Sequence, residues 1–329
     1  MKTIKWKYND KILPIPEDIV IAIGNFDGVH KGHRKLLEKA KDKAIESSLS
    51  FGVVTFDPHP RDFFSSKNSS FKLLDPDEKE CQLKNLGADY LIIIDFNEEL
   101  KNCSSNEFLS DILYKTFRVK KMFAGSNFKF GKNREGSIVD SKQYANKIGL
   151  EIVGVDLAQI KSEDEAELKI ISSQAIRSLI QDGKLNAAAD LLGRNWCVTG
   201  TVIKGKQQGR ELGFPTANVD MHYFLKPPFG VYVTRLKIIS QNNLDVESNW
   251  FPSISNIGTR PTVLGESVNI ETYIIDFKNN NTDTNLYGKR VKVELLNFIR
   301  SEKKFNSLNE LKEQIEKDTK KACDFHKLK

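Results

Sequence analysis

The chain has 329 residues, of which 39% are hydrophobic and 29% charged, and its formal net charge is +6. That composition excludes a disordered or fibrous chain, and no run of about 18 apolar residues is present to cross a membrane. The length suits two domains of ordinary size, and no Lys/Arg block marks a nucleic-acid surface.

The first stretch, MKTIKWKYNDKILPIPED, scatters charge and lacks a continuous apolar core, which argues against a secretory leader. Ile19–Ile23 (IVIAI) is expected to be a fully buried strand. A helix follows over HRKLLEKAKDKA, with Leu36, Leu37, Ala40 and Ala44 on one face. Strands are predicted at Phe51–Phe56, Tyr90–Ile94, Val119–Ala124 and Glu151–Val155. Helices are predicted near Asp77–Asn85, Asn106–Thr116 and Val139–Ile148. This alternation implies a doubly wound parallel sheet, so the fold class is α/β in the first half. Ligands of such sheets bind at the carboxyl ends of the strands. Gly24–His33, Asp57–Arg61 and Gly125–Gly136 each follow a strand and are expected to converge there.

The pattern changes near residue 184, where KLNAAADLL is a short helix and a candidate hinge. Trp196–Ile203, Gly230–Ile239, Ser267–Phe277 and Arg290–Phe298 are rich in Val, Ile, Thr and Tyr, with Gly, Pro and Asn between them. This half is expected to be all-β, an antiparallel barrel or sandwich. SQNNLDVESN and KNNNTDTN are predicted hairpin loops. A terminal helix starts at Ser307, with Glu310 at capping-box spacing and Leu308, Leu311 and Ile315 as its apolar stripe. The domains are therefore drawn at 1–183 and 184–329. The cysteines Cys81, Cys103, Cys197 and Cys323 form no C-x-x-C, so they are expected to be free thiols in a reducing cytoplasm.

GNFDGVHKGH (Gly24–His33) brings a strand into a glycine-rich turn and then into a helix. Helix N-termini present free N–H groups and partial positive charge, which favour phosphate. Glycines let the backbone approach a ligand closely. Metal binding by His30 and His33 is the weaker reading, because two histidines supply only part of a zinc ligand set; a purely structural role is also left open. In the second half, Gly200–Gln207 stops one residue short of a P-loop, since Gln207 replaces the magnesium-binding hydroxyl. GKQQGRELGFPTANVD (Gly205–Asp220) is more informative. Gly205, Gly209 and Gly213 allow a phosphate-wrapping loop, and Thr216 and Asn218, two apart on an extended segment, face one side. Their oxygens suit Mg²⁺ carried with a nucleotide; a turn or strand-edge hydrogen bond would also explain them.

GNFDGVHKGH, TFDPHPRDFF, GSNFKFGKNREG and ISSQAIRSLI, in that order, resemble the nucleotidylyltransferases of the bacterial FAD synthetase type. LGFPTAN, KPPFGVYV, SISNIGTRPTV, ETYIIDF, LYGKRVKVEL and FIRSEKKFNSLNELKEQIEKD resemble the riboflavin kinase domain, a six-stranded antiparallel β-barrel with a terminal helix. The two resemblances cover nearly the whole chain, and together they are those of the bifunctional prokaryotic FAD synthetases.

The resemblance implies two reactions. Riboflavin would be phosphorylated to FMN in the second domain, and FMN adenylylated to FAD, with pyrophosphate released, in the first. In the first site it implies ATP binding by Gly24, Phe26, Asp27, His30, Gly32, His33, Ser172, Ser173 and Arg177, with His30 and His33 catalytic. FMN would be met by Asn127, His59 and Arg134. In the kinase site ATP and Mg²⁺ would be held by Gly205, Gly209, Arg210, Gly213, Thr216 and Asn218, with Glu271 the base, facing the barrel mouth. The FMN phosphate is already an anion, so the first site needs alignment and charge neutralisation and no strong base. A riboflavin hydroxyl is a poor nucleophile when neutral, so the second site needs one.

Departures are Asn127, where many relatives have Asp, Gln174 where they have Thr, Asp57 in place of Glu, and Lys204 in place of His. ATP, riboflavin and FMN are the expected partners, without nucleic acid or membrane, and weak self-association is left open. Two rivals stand: a nucleotidylyltransferase for another phosphorylated substrate, and a non-catalytic flavin- or RNA-binding regulator.

Overall fold

The computed structural model describes residues 1–8, 10, 15–65, 70–156, 158–161, 168–205, 208–239, 249–262, 265–275 and 285–327. The predicted loops SQNNLDVESN and KNNNTDTN lie almost wholly outside them. The chain forms two compact units. The first contains Met1–Ser69 and Lys79–Ser172; the second contains Ser70–Glu78 and Ser173–Lys329.

In chain order the first unit begins with β1 (Lys2–Trp6), β2 (Ile19–Ile23), α1 (Lys31–Glu46), β3 (Ser50–Asp57) and α2 (Pro60–Phe64). Next come α3 (Pro76–Asn85), which starts in residues of the second unit, β4 (Tyr90–Asp95), α4 (Glu98–Asn102) and α5 (Ser105–Glu107), which runs into a π-helix over Phe108–Thr116. Then come β5 (Val119–Gly125), the small hairpin β6 (Lys129–Phe130) with β7 (Gly136–Ser137), α6 (Ile138–Ile148), β8 (Glu151–Val155), and the pair β9 (Gln159–Lys161) and β10 (Leu168–Ile170).

Six of these strands make one parallel sheet in the order β1-β4-β3-β2-β5-β8. All five residues of β2 are buried, as a central strand of a covered parallel sheet requires. Leu36, Leu37, Ala40 and Ala44 of α1 are buried as their spacing predicts. The strand order turns at β2, which has β3 on one side and β5 on the other. The crevice rule therefore points to the carboxyl end of β2.

Two elements differ from expectation. The stretch after Asn106 is mostly a π-helix. Its wider turn brings Phe108, Leu109, Ile112 and Leu113 to one buried stripe, and Phe117 N–H donates to Ile112 O at 3.1 Å across i to i+5. Lys2–Trp6, read as a charged terminus, is an edge strand on β4, where its charged side chains keep access to water.

The second unit contains α7 (Ser173–Gln181), α8 (Leu185–Leu192), β11 (Cys197–Thr201), α9 (Gln208–Glu211), β12 (Thr216–Asp220), β13 (Gly230–Ile239), β14 (Phe251–Thr262), β15 (Gly265–Ile274), β16 (Arg290–Ser301) and α10 (Leu308–His326). Its six strands run β11-β16-β13-β14-β15-β12, and an antiparallel bridge between Ile203 and Asn218 draws the two ends together, so the sheet is a nearly closed barrel.

Inside the barrel, Thr234 Oγ1 bonds Ser253 Oγ at 2.9 Å and Ser255 Oγ at 2.8 Å, and Ser255 Oγ bonds Thr272 Oγ1 at 2.9 Å. On the outside, Val231, Val233 and Ile254 pack with Ala322 of α10. Ser307 caps α10 as its spacing predicts, and Glu310 N–H donates to its Oγ at 3.1 Å. Of the expected apolar stripe, Leu311 and Ile315 are half-buried and share a face with the buried Asp318 and Ala322, whereas Leu308 is exposed. Asp318 is placed there by Arg300, whose Nε donates to it at 2.7 Å.

The segment Ser70–Glu78 is woven into this unit. Lys72 N–H donates to Tyr223 O at 3.0 Å and Trp196 Nε1 to Leu73 O at 2.9 Å. Arg290 pairs with Asp75 at 2.8 Å and Lys292 with Glu78 at 2.7 Å.

Candidate active sites

The first site is built from the β2–α1 turn. Gly28 (φ 88°) and, unusually for side-chain-bearing residues, Phe26 (φ 49°) and Val29 (φ 39°) take left-handed backbone. Their strain is compensated by burial: Phe26 is 1% exposed and Val29 is 0%. The turn is anchored from α1, where Arg34 Nε donates to Val29 O at 3.4 Å, and from β3, where Thr55 Oγ1 donates to Asn25 O at 3.3 Å.

Helix α1 begins at Lys31, and His30 is its N-cap, with Nδ1 accepting the His33 N–H at 3.2 Å. That bond places the proton of a neutral His30 ring on Nε2. The His30 and His33 rings stack at 3.5 Å between centroids, and Phe26 meets His33 edge-on at 5.3 Å. Gly32 leaves room here: a Cβ would crowd the His30 ring at 3.2 Å and Ile171 O at 3.4 Å. Asp27 and His30 are buried. Asn25 Oδ1, which sequence reasoning passed over, is buried without a hydrogen-bond partner among the described residues. Its only sequence signal is its place inside the turn.

Asn127 and His59 stand on the loops after β5 and β3, the strands flanking β2. Gly24, His30, His59 and Asn127 are thus brought to the carboxyl ends of three adjacent strands. Asn127 is exposed, with Oδ1 3.1 Å from where a Cβ of Gly125 would be. His59 caps α2, its Nδ1 accepting from Arg61 N–H at 3.0 Å. Arg134 is exposed on a turn of positive φ. Beside His59 stands a cluster not singled out from sequence: Phe63 and Phe64 each meet Phe96 edge-on, at 5.2 and 5.9 Å, and Phe64 is 64% exposed. Ser172 closes the first unit, whereas Ser173 and Arg177 open α7 of the second. There Arg177 is buried, and its Nε donates to Phe71 O at 2.9 Å.

The second site lies on the barrel wall. Asn218 Nδ2 donates to Thr216 Oγ1 at 3.3 Å, so the two side chains share a face as their spacing predicts. Asn218 Oδ1 is buried and has no partner among the described residues. Gly205 packs directly on this amide: a Cβ there would lie 2.7 Å from Nδ2 and 2.9 Å from Oδ1. Gly209 lies within the short helix α9 and Gly213 follows it at φ 92°; the Arg210 side chain is outside the described residues.

Glu271 is directly opposite Asn218 in the β12–β15 ladder, and opposed residues point to one face with Cβ atoms about 5 Å apart. The same register puts Ala217 opposite Thr272, whose hydroxyl belongs to the interior chain. Glu271 therefore points to the outer face of the barrel wall, the face on which α10 packs against β13 and β14, not to the barrel interior. A carboxylate, an amide oxygen and a hydroxyl on one face, next to a glycine loop, can bind a nucleotide phosphate with its cation and take up a proton. Among the described residues no group of three His, Cys, Asp or Glu is arranged to hold a metal ion.

A parallel α/β unit with an H-x-G-H helix cap at its strand ends, carried on one chain with a small antiparallel barrel, is the build of a two-site phosphate-handling transferase. Family models agree: residues 13–173 match FAD synthetase and residues 192–326 match riboflavin kinase. The chain is 35% identical to the bifunctional riboflavin kinase/FMN adenylyltransferase of Escherichia coli strain K12, covering 99% of this chain and 98% of that protein. It is 34% identical to the protein of the same description from Bacillus subtilis strain 168, covering 93% and 92%. A crystal structure from Streptococcus pneumoniae, described as a macrolide-efflux protein, superposes with a TM-score of 0.79 at 31% identity, covering 97% of each chain. Among the described residues of the present chain no helix is long and apolar enough to cross a membrane. The chain belongs to the bifunctional riboflavin kinase/FMN adenylyltransferase family.

Proposed function

We propose that the glycine turn of the first unit and the Thr216–Asn218–Glu271 face of the second are the two catalytic sites of riboflavin-to-FAD synthesis. The chain is a riboflavin kinase and an FMN adenylyltransferase. The observation that carries the residue assignment is the register that sets Glu271 against Asn218, whose buried Oδ1 lacks a partner among the described residues.

In the kinase step the 5′-hydroxyl oxygen of riboflavin attacks the γ-phosphorus of ATP, Glu271 accepts the hydroxyl proton, and ADP leaves. General-base help of this kind contributes about 10²–10⁴-fold. Thr216 Oγ1 and Asn218 Oδ1 suit Mg²⁺, which keeps several waters and takes few protein oxygens. When bound, the ion neutralises charge on the transferred phosphate. Gly205 and Gly209 let the backbone approach that phosphate closely.

In the adenylyl step an oxygen of the FMN phosphate attacks the α-phosphorus of ATP and pyrophosphate leaves. His30 and His33, with Gly24, Phe26, Asp27 and Gly32, align the triphosphate, and the α1 N-terminus draws its charge. Ser172 serves the phosphates, and Asn127, His59 and Arg134 the FMN. The exposed ring of Phe64, held by Phe63 and Phe96, offers the isoalloxazine a stacking face.

Incubation with riboflavin, ATP and Mg²⁺, followed by chromatography, should show FMN and then FAD. Absence of both from the unmodified protein would end the reading. Replacement of Mg²⁺ by a chelator should stop both steps.

A further inference from the structure

The small hairpin of β6 and β7 closes through Gly131–Glu135. Three residues of that connection have left-handed backbone: Gly131 (φ 75°), Asn133 (φ 53°) and Arg134 (φ 60°). Glycine takes this conformation freely and asparagine tolerates it, but an arginine there is strained. Arg134 is exposed, so no packing of its side chain offsets the strain. Glycine would serve the backbone better, so an arginine here answers a need other than stability.

The turn is held from outside. Lys132 N–H donates to Cys103 O at 2.7 Å. Glu135 Oε1 accepts the Ser105 N–H at 2.9 Å, one of the N–H groups that the first turn of α5 leaves without a helical partner. Gly131 and Gly136 press on the same residue: a Cβ would stand 2.6 Å from Ser105 N at the first and 2.7 Å from Ser105 Cβ at the second. The footing is firm. Helix α5 runs into the π-helix, whose Phe108, Leu109, Ile112 and Leu113 are buried, and the Phe108 ring meets the buried Phe130 ring of β6 at 5.7 Å. Glu135 and Ser105 are 30 residues apart, so tertiary folding and not local propensity makes their contact.

We propose that Glu135 is a positioning residue of the adenylyl step: its carboxylate, bound to the start of α5, holds the turn in the strained form that presents the Arg134 guanidinium to the FMN phosphate. The proposal rests on the FMN assignment of Arg134. A guanidinium pairs with a phosphate through two parallel N–H···O bonds, so its worth depends on its orientation. Without the clamp, Asn133 and Arg134 relax to ordinary backbone and the guanidinium is no longer aimed. Glu135 itself touches no substrate. Its negative charge, next to Arg134 in the chain, opposes the binding of an anion. Loss of the charge alone and loss of the clamp therefore shift FMN affinity in opposite directions.

The test follows the adenylyl step with supplied FMN. Glu135→Ala should raise KM for FMN about tenfold, the equivalent of 1.4 kcal/mol, with KM for ATP unchanged. Glu135→Gln keeps an oxygen for the Ser105 N–H and loses the charge, so its KM for FMN should stay at or below that of the unmodified protein. Glu135→Asp keeps the charge but withdraws the carboxylate by one methylene. Its KM for FMN should rise, and it carries the test if Glu135→Ala does not fold. In an Arg134→Ala background, Glu135→Ala should raise KM for FMN no further. A KM for FMN that falls or stays unchanged in Glu135→Ala would overturn the proposal. So would equal rises in the Ala and Gln variants, a rise in KM for ATP, or additive rises in the double variant. Should Arg134→Ala alone leave KM for FMN unmoved, the FMN assignment of Arg134 falls, and the positioning role with it.

Discussion

His30 performs two tasks that substitution can separate. Its Nδ1 caps α1 by accepting the His33 N–H, and its ring stacks on His33 where phosphate is expected. Asparagine is a good N-cap but has no imidazole. His30→Asn should therefore melt at the temperature of the unmodified protein, still make FMN, and lose adenylyl transfer by about 10²-fold or more. FAD formation at the normal rate by this variant would remove His30 from the chemistry. Glu271→Gln should do the reverse, losing FMN formation by about 10²–10⁴-fold while converting supplied FMN to FAD. FMN made by Glu271→Gln at an undiminished rate would sink the base assignment. Neither role is visible in residue type alone. The histidine spacing was legible in GNFDGVHKGH, but the cap, and with it the ring nitrogen that carries the proton, depends on where α1 begins.

Elements that follow one dominant periodicity were legible. IVIAI is continuous apolar sequence and became the central parallel strand; Leu36, Leu37, Ala40 and Ala44 repeat at helical spacing and became the buried face of α1. The exceptions have local causes. Lys2–Trp6 is an edge strand, where charged side chains coexist with pairing on one side only. The π-helix preserves a helical pattern of buried residues while changing its period. On α10 the Arg300–Asp318 pair turns a charged residue inward, onto the face that Leu311 and Ile315 mark, which apolar pattern alone does not anticipate.

The barrel's interior hydroxyl chain is the least sequence-like feature, because Thr234, Ser253, Ser255 and Thr272 meet only through the pairing of β13, β14 and β15. Each is at most 1% exposed. Thr234→Val keeps shape but leaves two serine hydroxyls short of a partner, and should cost about 1–3 kcal/mol in urea unfolding. An unchanged midpoint would show that the chain contributes no stability.

The whole molecule carries charge in places that make its stability depend on pH. Burial pushes the Lys226 ammonium down to about 8, against an ordinary 10.5, with Asp220 opposing; Nζ donates to Met221 O at 2.5 Å and to His222 O at 3.2 Å. Below about pH 8 the lysine is protonated folded and unfolded. Above it the folded state has released a proton that the unfolded chain still holds, so stability rises with pH towards 10. Burial raises the phenols of Tyr223 and Tyr232, the first also through its bond to Asp75, so above pH 10 the unfolded chain ionises first and stability falls. The urea midpoint should therefore climb between about pH 8 and 10 and decline beyond, and Lys226→Met should abolish the climb. An identical slope in that variant would refute the assignment.

Sequence alone was sufficient for the two-part architecture, for the glycine turn after β2 and the helix that follows it, and for the flavin substrate class, because hydrophobic period and contiguous motifs are properties of neighbouring residues. Tertiary structure decided the rest. It placed Ser70–Glu78 in the second unit, through ion pairs to Arg290 and Lys292. It bound Glu135 to the start of α5, and it set Glu271 opposite Asn218 on the outer wall. Which residues stand opposite each other in a barrel is fixed by strand register between distant segments, and a one-residue slip would send Glu271 or Asn218 to the other face.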